Sequence, residues 1–280
     1  SEPSGENVSL KQQAIALIHQ GRHREAEAIY RDIIAAGTSD QTVYSSLAAI
    51  CWEQGQFNEL IDLLNKALEL SPNYPEAYNT LGNALQAQGD LAAAIASYNT
   101  ALELKPGYPE AWNNLGNALK EQGDLDAAIV SYEKALDLQM DCPEVHYNLG
   151  NALKAQGNLD AAVVSYNKVL ELKWNYPEAH NNLGNALREQ GHLDAAIASY
   201  SKALELKSNY PEAHSNLGNA LWEQGSLGAA IAACNKALEL KPNYPEAHNN
   251  LGNALQGKGA LAAAIACYRK ALRLRPSYPE

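Results

Sequence analysis

Apolar and small residues recur along this chain with two nested periods. Over Trp112, Leu115 and Leu119, and again over Ala94, Tyr98, Ala101 and Leu102, neighbours lie one, three or four residues apart, which places each set on one face of an α-helix. On a longer scale the dipeptide Pro-Glu returns every 34 residues, at Pro75, Pro109, Pro143, Pro177, Pro211, Pro245 and Pro279, and each copy opens the same run. Proline suits the first turn of a helix, where its missing N–H would have no partner, and the glutamate after it favours the positive end of the helix dipole. A first helix is therefore predicted from each Pro to the position of Gln122-Gly123, where glycine suits a left-handed cap. A second helix follows, with Asp90 and Asp124 placed to cap it.

A helix pair of this size cannot bury its apolar face alone and is stabilised by stacking on its neighbours. Eight units are expected within residues 7–278, at 7–40, 41–74, 75–108, 109–142, 143–176, 177–210, 211–244 and 245–278. Residues 1–6 are expected to be a disordered tail, and 279–280 to open a truncated ninth unit. The glycine of each Leu-Gly-Asn, at Gly82, Gly116, Gly150, Gly184, Gly218 and Gly252, costs about 1 kcal/mol against alanine inside a helix. Such a residue makes sense where another helix passes close by, so these six read as packing sites.

The unit at Pro109, with Trp112, Leu115-Gly116, Leu119, Gly123, Ala128, Tyr132 and Ala135, resembles the tetratricopeptide repeat (TPR) family across essentially the whole chain. The unit from Asn7 is the most divergent, keeping Ala14, Leu17, Gly21, Ala26 and Tyr30 without the Leu-Gly pair. The resemblance implies an all-α fold, a right-handed superhelical solenoid of antiparallel helix pairs, and a role in binding protein or peptide segments.

Net charge is −11, which argues against a nucleic-acid partner, since phosphate recognition needs clustered Lys and Arg. No apolar run approaches the roughly 20 residues of a membrane span, so no membrane role and a cytoplasmic location are expected. The four cysteines show no CxxC spacing and read as reduced thiols. His146, His180, His214 and His248 share the slot of Tyr44, Tyr78 and Trp112, so they read as substitutes for a packing aromatic rather than metal ligands. No nucleophile, base or phosphate-loop pattern stands apart from the repeat, and neither catalysis nor a cofactor is expected.

Packing does not explain the asparagines. Numbering each unit from its opening residue, position 6 holds Asn114, Asn148, Asn182, Asn216 and Asn250, and position 9 holds Asn83, Asn117, Asn151, Asn185, Asn219 and Asn253. Asn79, Asn113, Asn181 and Asn249 add a row at position 5. Offsets of three and four place these amides on one helix face. Asparagine is a mediocre helix former, and an amide both donates and accepts, so a stripe of them suits the C=O and N–H groups of an extended peptide. The asparagine before the helix-A leucine resembles the ladder that holds peptide backbone in the TPR region of O-linked N-acetylglucosamine transferases, with Ser46, Thr80 and Gln12 departing from it. A purely junctional role for the amides is the competing reading.

Position 12 varies and is a candidate for specificity: Trp52, Lys120, Lys154, Arg188 and Trp222 replace glutamine there. The three cations suit an acidic ligand group, or pair with Glu121 and Glu189 as solvated ion pairs. The two tryptophans suit exposed anchors. The sequence is expected to continue beyond Glu280, and an unfinished ninth unit would leave Ala271, Leu272 and Leu274 open to self-association. Two functions follow: a non-catalytic peptide-binding scaffold with a concave groove, or the substrate-recruiting arm of a larger enzyme such as a glycosyltransferase.

Overall fold

The computed structural model describes residues 5–276, with side chains from residue 7 onward. The expected ninth-unit start at 279–280 and the first four residues of the expected tail lie outside the described residues; the first helix already begins at Gly5. Residues 1–140 and 141–280 form two compact units. The first holds α1 (Gly5–His19), α2 (His23–Ala35), α3 (Gln41–Glu53), α4 (Phe57–Leu70), α5 (Pro75–Ala87), α6 (Leu91–Leu104), α7 (Pro109–Gln122) and α8 (Leu125–Leu138). The second holds α9 (Pro143–Gln156), α10 (Leu159–Leu172), α11 (Pro177–Glu189), α12 (Leu193–Leu206), α13 (Pro211–Glu223), α14 (Leu227–Leu240), α15 (Pro245–Gly257) and α16 (Leu261–Leu274). Within each unit, turns of a few residues make consecutive helices antiparallel neighbours, and no strand occurs among the described residues.

Local chemistry sets the helix ends. Proline occupies the first turn of α5, α7, α9, α11, α13 and α15. Asp90 and Asp124 accept the N–H groups of Ala93 and Ala127 at 3.0 and 3.1 Å, satisfying donors that the first turn leaves open. Gly123 ends α7 at φ 97°, a backbone conformation that a side chain would strain.

Between the two helices of a pair the deepest group is a tyrosine ring. Tyr98, Tyr132, Tyr166 and Tyr200 are completely buried. Each lies flat against the Leu-Gly glycine of its own pair: an ideal Cβ at Gly116 would stand 2.6 Å from Cε1 of Tyr132, and one at Gly82 2.5 Å from Cε1 of Tyr98. The sequence reading of these glycines as packing sites holds, but the close neighbour is an aromatic ring rather than a passing helix backbone. In α13 and α14 the smaller Cys234 takes the ring's place against Gly218.

Junctions carry a second recurring device. Lys105 pairs with Glu76 at 2.8 Å and lies 4.4 Å over the ring of Tyr108, the residue before Pro109. Lys207 does the same with Glu178 and Tyr210, and Lys241 with Glu212 and Tyr244. These partners are largely exposed, so each pair contributes little, about 0–1 kcal/mol.

The last helix is the least covered. On α16, Leu261 is 60% exposed, Ile265 49% and Leu272 46%, whereas Leu227, Ile231 and Leu238, at the same register on α14, are half-buried. Ala271, expected to be open, is buried, and Leu274 is half-buried, because both turn toward α15 and the turn rather than outward.

Gly116→Ala is expected to destabilise by about 1–3 kcal/mol, since the methyl must displace the Tyr132 ring and that cost exceeds the helix-propensity gain of about 1 kcal/mol. Urea denaturation checks this, with Gly116→Ala combined with Tyr132→Leu expected to recover part of the loss.

Candidate functional site

The asparagine rows divide into two hydrogen-bonded sets. At position 9, Asn83, Asn117, Asn151, Asn185 and Asn253 accept the hydroxyls of Tyr98, Tyr132, Tyr166, Tyr200 and Tyr268 at 2.7–2.8 Å. A buried phenol needs such an acceptor, and burial also pushes the Tyr200 hydroxyl up to about 12. Asn219 departs from the set: with Cys234 in the ring's place, it donates to Glu223 at 3.1 Å instead.

At position 6 the amides reach the neighbouring pair. Asn114 donates to the Asn79 side-chain oxygen at 3.1 Å and Asn216 to that of Asn181 at 3.0 Å. Asn250 donates to the Ser215 hydroxyl at 3.0 Å, and Asn182 to the Tyr147 hydroxyl and to Asn151 at 3.0 and 2.9 Å. Asn148 holds the same register on α9. Each rung ties position 6 of one pair to position 5 of the pair before it.

Position 5 therefore differs from the expectation of a solvent-facing row. Asn79 and Asn181 are buried, 8% and 4% exposed, because the next pair closes over them; Asn113 and Asn249 are half-buried. Ser215 and Tyr147 serve the same role at this position, and sequence inspection passed over them because they are not asparagines. Their register alone would have found them.

The ladder leaves a definite chemistry on its open side. With Nδ2 of Asn114, Asn216 and Asn250 turned to the preceding pair, Oδ1 accepts no hydrogen bond among the described residues. With Oδ1 of Asn117, Asn185 and Asn253 taken by tyrosine, their Nδ2 groups are the free donors. A free acceptor at position 6 and a free donor at position 9, three residues apart on one helix face, match the N–H and C=O of a polypeptide backbone.

Position 12 forms a charge ladder with position 13 of the next pair. Lys154 pairs with Glu189 at 3.1 Å, Arg188 with Glu223 at 2.7 Å, and Gln86 donates to Glu121 at 2.9 Å. The cations expected to greet an acidic ligand are thus largely neutralised from within. Lys120 forms no salt bridge among the described residues; burial holds its pKa below the usual lysine range, partly offset by Glu121. Trp52 is 41% exposed and meets Phe57 edge-on at 5.4 Å, while Trp222 is half-buried.

The histidines fill the slot of a hydrogen-bonding aromatic. Nε2 of His180, His214 and His248 lies 3.0 Å from the carbonyls of Trp174, Ser208 and Pro242, as the Trp112 N–H does from Pro106. A carbonyl only accepts, so Nε2 carries the proton; burial keeps the His180 pKa below the usual value.

Sequence profiles of the TPR repeat match residues 48–89, 82–123, 116–157, 150–187, 184–225 and 221–259, and tetratricopeptide repeat profiles match 12–32 and 245–278. No curated protein sequence matches the chain. Among solved structures, YrrB, described as a TPR protein with an unusual peptide-binding site, is 26% identical with a TM-score of 0.58, covering 66% of this chain and 95% of its own. MamA is 30% identical with a TM-score of 0.53, covering 58% of this chain and 95% of its own. The C-terminal part of a TPR repeat-containing protein from Cytophaga hutchinsonii has a TM-score of 0.71 over 86% of this chain and 98% of its own; at 20% identity it is alike in fold alone.

One tyrosine tests the pairing. In the first pair Ile15 stands at position 9, and the completely buried Tyr30 hydroxyl has no partner among the described residues. Tyr132→Phe is expected to cost about 0.5–1.5 kcal/mol, whereas Tyr30→Phe should be neutral or stabilising, since a buried hydroxyl without a partner itself costs about 1–3 kcal/mol. Thermal melts of the two variants give the comparison.

Proposed function

Because the chain belongs to the tetratricopeptide repeat family, we propose that it is a non-catalytic scaffold holding an extended peptide or protein segment along its asparagine-bearing helix faces. The observation that carries this reading is an acceptor at position 6 beside a donor at position 9, neither engaged by another described residue, in the pairs opened by Pro109 and Pro245, at Asn114 and Asn117 and at Asn250 and Asn253. Backbone groups are common to all peptides, so the amides supply affinity, and Trp52, Lys120, Lys154, Arg188 and Trp222 discriminate by side chain. All twenty asparagine, cationic and tryptophan positions named from the sequence are kept in this reading, with Asn79 and Asn181 acting through the rungs they anchor.

The net charge of −11 disfavours nucleic acid as the partner. No described helix is long and apolar enough to cross a membrane, and the four free thiols suit the reducing cytoplasm. The same face would serve the substrate-recruiting arm of a larger enzyme, such as a glycosyltransferase, where this chain would contribute binding alone; its asparagine register supports that setting. The open Leu261, Ile265 and Leu272 face of α16 supports self-association, which light scattering over a concentration series tests. A Leu261→Lys, Ile265→Lys variant should scatter as a monomer if the reading holds.

Asn182→Ala, Asn216→Ala and Asn250→Ala combined should retain helicity and lose about 1–3 kcal/mol of stability, because each rung is worth about 0.5–1.5 kcal/mol net and alanine repays part as the better helix former. Affinity should fall similarly for peptides of unrelated sequence, while Trp222→Ala should discriminate among them. Calorimetric titration against a peptide panel, below the melting temperature of every variant, decides; undiminished affinity in the folded triple variant would make the amides purely junctional.

A further inference from the structure

The first helix pair breaks the pattern at one junction. At five later junctions the residue before the next first helix is a tyrosine, at 74, 108, 176, 210 and 244, with Cys142 at the sixth, and the rings of Tyr74, Tyr108 and Tyr176 meet position 5 of their own pairs. Tyr74 donates to the Ser45 hydroxyl at 3.5 Å, and Tyr176 stacks on Tyr147 at 5.2 Å between centroids. In the first pair that residue is Asp40, and it pairs with Lys11 at position 5 at 2.7 Å. A carboxylate is far smaller than a phenol ring. Beside this pair lies a partly open cavity of about 180 Å³, lined by the apolar Val8, Ile15, Ile33 and Val43 and by the polar Asn7, Gln12, Thr38, Lys11 and Asp40.

Size, shape and polarity suit one kind of occupant. A cavity of about 150 Å³ with apolar walls accepts a benzene ring. Ile15, in place of the usual position 9 amide, makes one side of the wall apolar, and Val8 and Ile15 remain 43% and 39% exposed around it, apolar surface that an occupant would cover. Lys11 and Asp40 supply a donor and an acceptor for a phenol hydroxyl, the complement that a plain hydrocarbon ring lacks.

We propose that this cavity receives a tyrosine side chain from the bound peptide, filling in trans the place that the array's own tyrosines fill at its later junctions. The inference rests on the peptide-scaffold reading and adds to it a required side chain at the first pair. The peptide backbone would run from the asparagine-bearing faces of α5 and α7 toward the first pair, with its tyrosine seated against α1 and α3.

The test uses defined probes on the full chain. p-Cresol, the tyrosine side chain alone, should shift the amide resonances of Val8, Ile15, Ile33 and Val43 and spare those of residues 141–276. A capped peptide with one tyrosine between two short runs of glycine should bind at least about tenfold tighter than the same peptide with alanine at its centre, a difference of about 1.4 kcal/mol. Asp40→Tyr, which installs the residue of five later junctions, and Val8→Phe, which fills the cavity from α1 and leaves the Thr42 N–H bonded to Asp40 at the start of α3, should each abolish the p-cresol shifts and bring the two peptides to equal affinity. Equal affinities in the parent protein, with no p-cresol shifts, would overturn the proposal while leaving backbone binding intact. Persistence of p-cresol shifts in a folded Val8→Phe protein would also overturn it. The Asn182, Asn216 and Asn250 triple variant separates the two ideas: it should keep the p-cresol shifts whether or not the amides hold peptide.

Discussion

A tyrosine ring pressed against a helical glycine, its hydroxyl held by the amide of the residue after that glycine, is the contact around which the helix pairs opened by Pro75, Pro109, Pro143, Pro177 and Pro245 are built. The ring excludes a Cβ at positions such as Gly116 and Gly150, so the glycine is retained despite its cost in helix propensity. Its buried hydroxyl requires an acceptor, and Asn117 or Asn151 supplies one. Ring, glycine and amide are thereby tied into one requirement. Where the ring is replaced by Cys234, the amide of Asn219 turns elsewhere, which shows the hydrogen bond, not helix geometry, orienting it.

That orientation decides what the open face offers. An amide fixed by its oxygen presents nitrogen, and one fixed by its nitrogen presents oxygen; the Tyr–Asn bond does the first at position 9 and the inter-pair rung does the second at position 6. The junctional bond thus occupies one end of each of these side chains and leaves the other end for the recognition proposed above. The charge ladder behaves differently. Glu189 and Glu223 consume the cations of Lys154 and Arg188, leaving Lys120 without a salt bridge among the described residues. Exposed pairs of this kind fix side-chain positions more than they stabilise.

The ends of the array depart from the rule in opposite ways. The first pair loses the acceptor at position 9, leaving the Tyr30 hydroxyl alone, and loses the junction tyrosine, leaving a cavity. The last pair keeps its ring, with Tyr268 bonded to Asn253, but exposes the apolar face that other second helices share with a neighbour.

Period, helix ends and fold class were legible in the sequence because they follow from local chemistry: prolines and glycines at fixed spacing, and apolar residues at three and four. The asparagine stripe was legible as well, for the same reason of spacing. What the tertiary structure decided was the direction of each amide, the burial of Asn79 and Asn181, the neutralisation of Lys154 and Arg188, and the cavity beside Asp40. All four depend on the residue that lands opposite, most of them about one repeat away, and only packing one pair against the next brings those residues together.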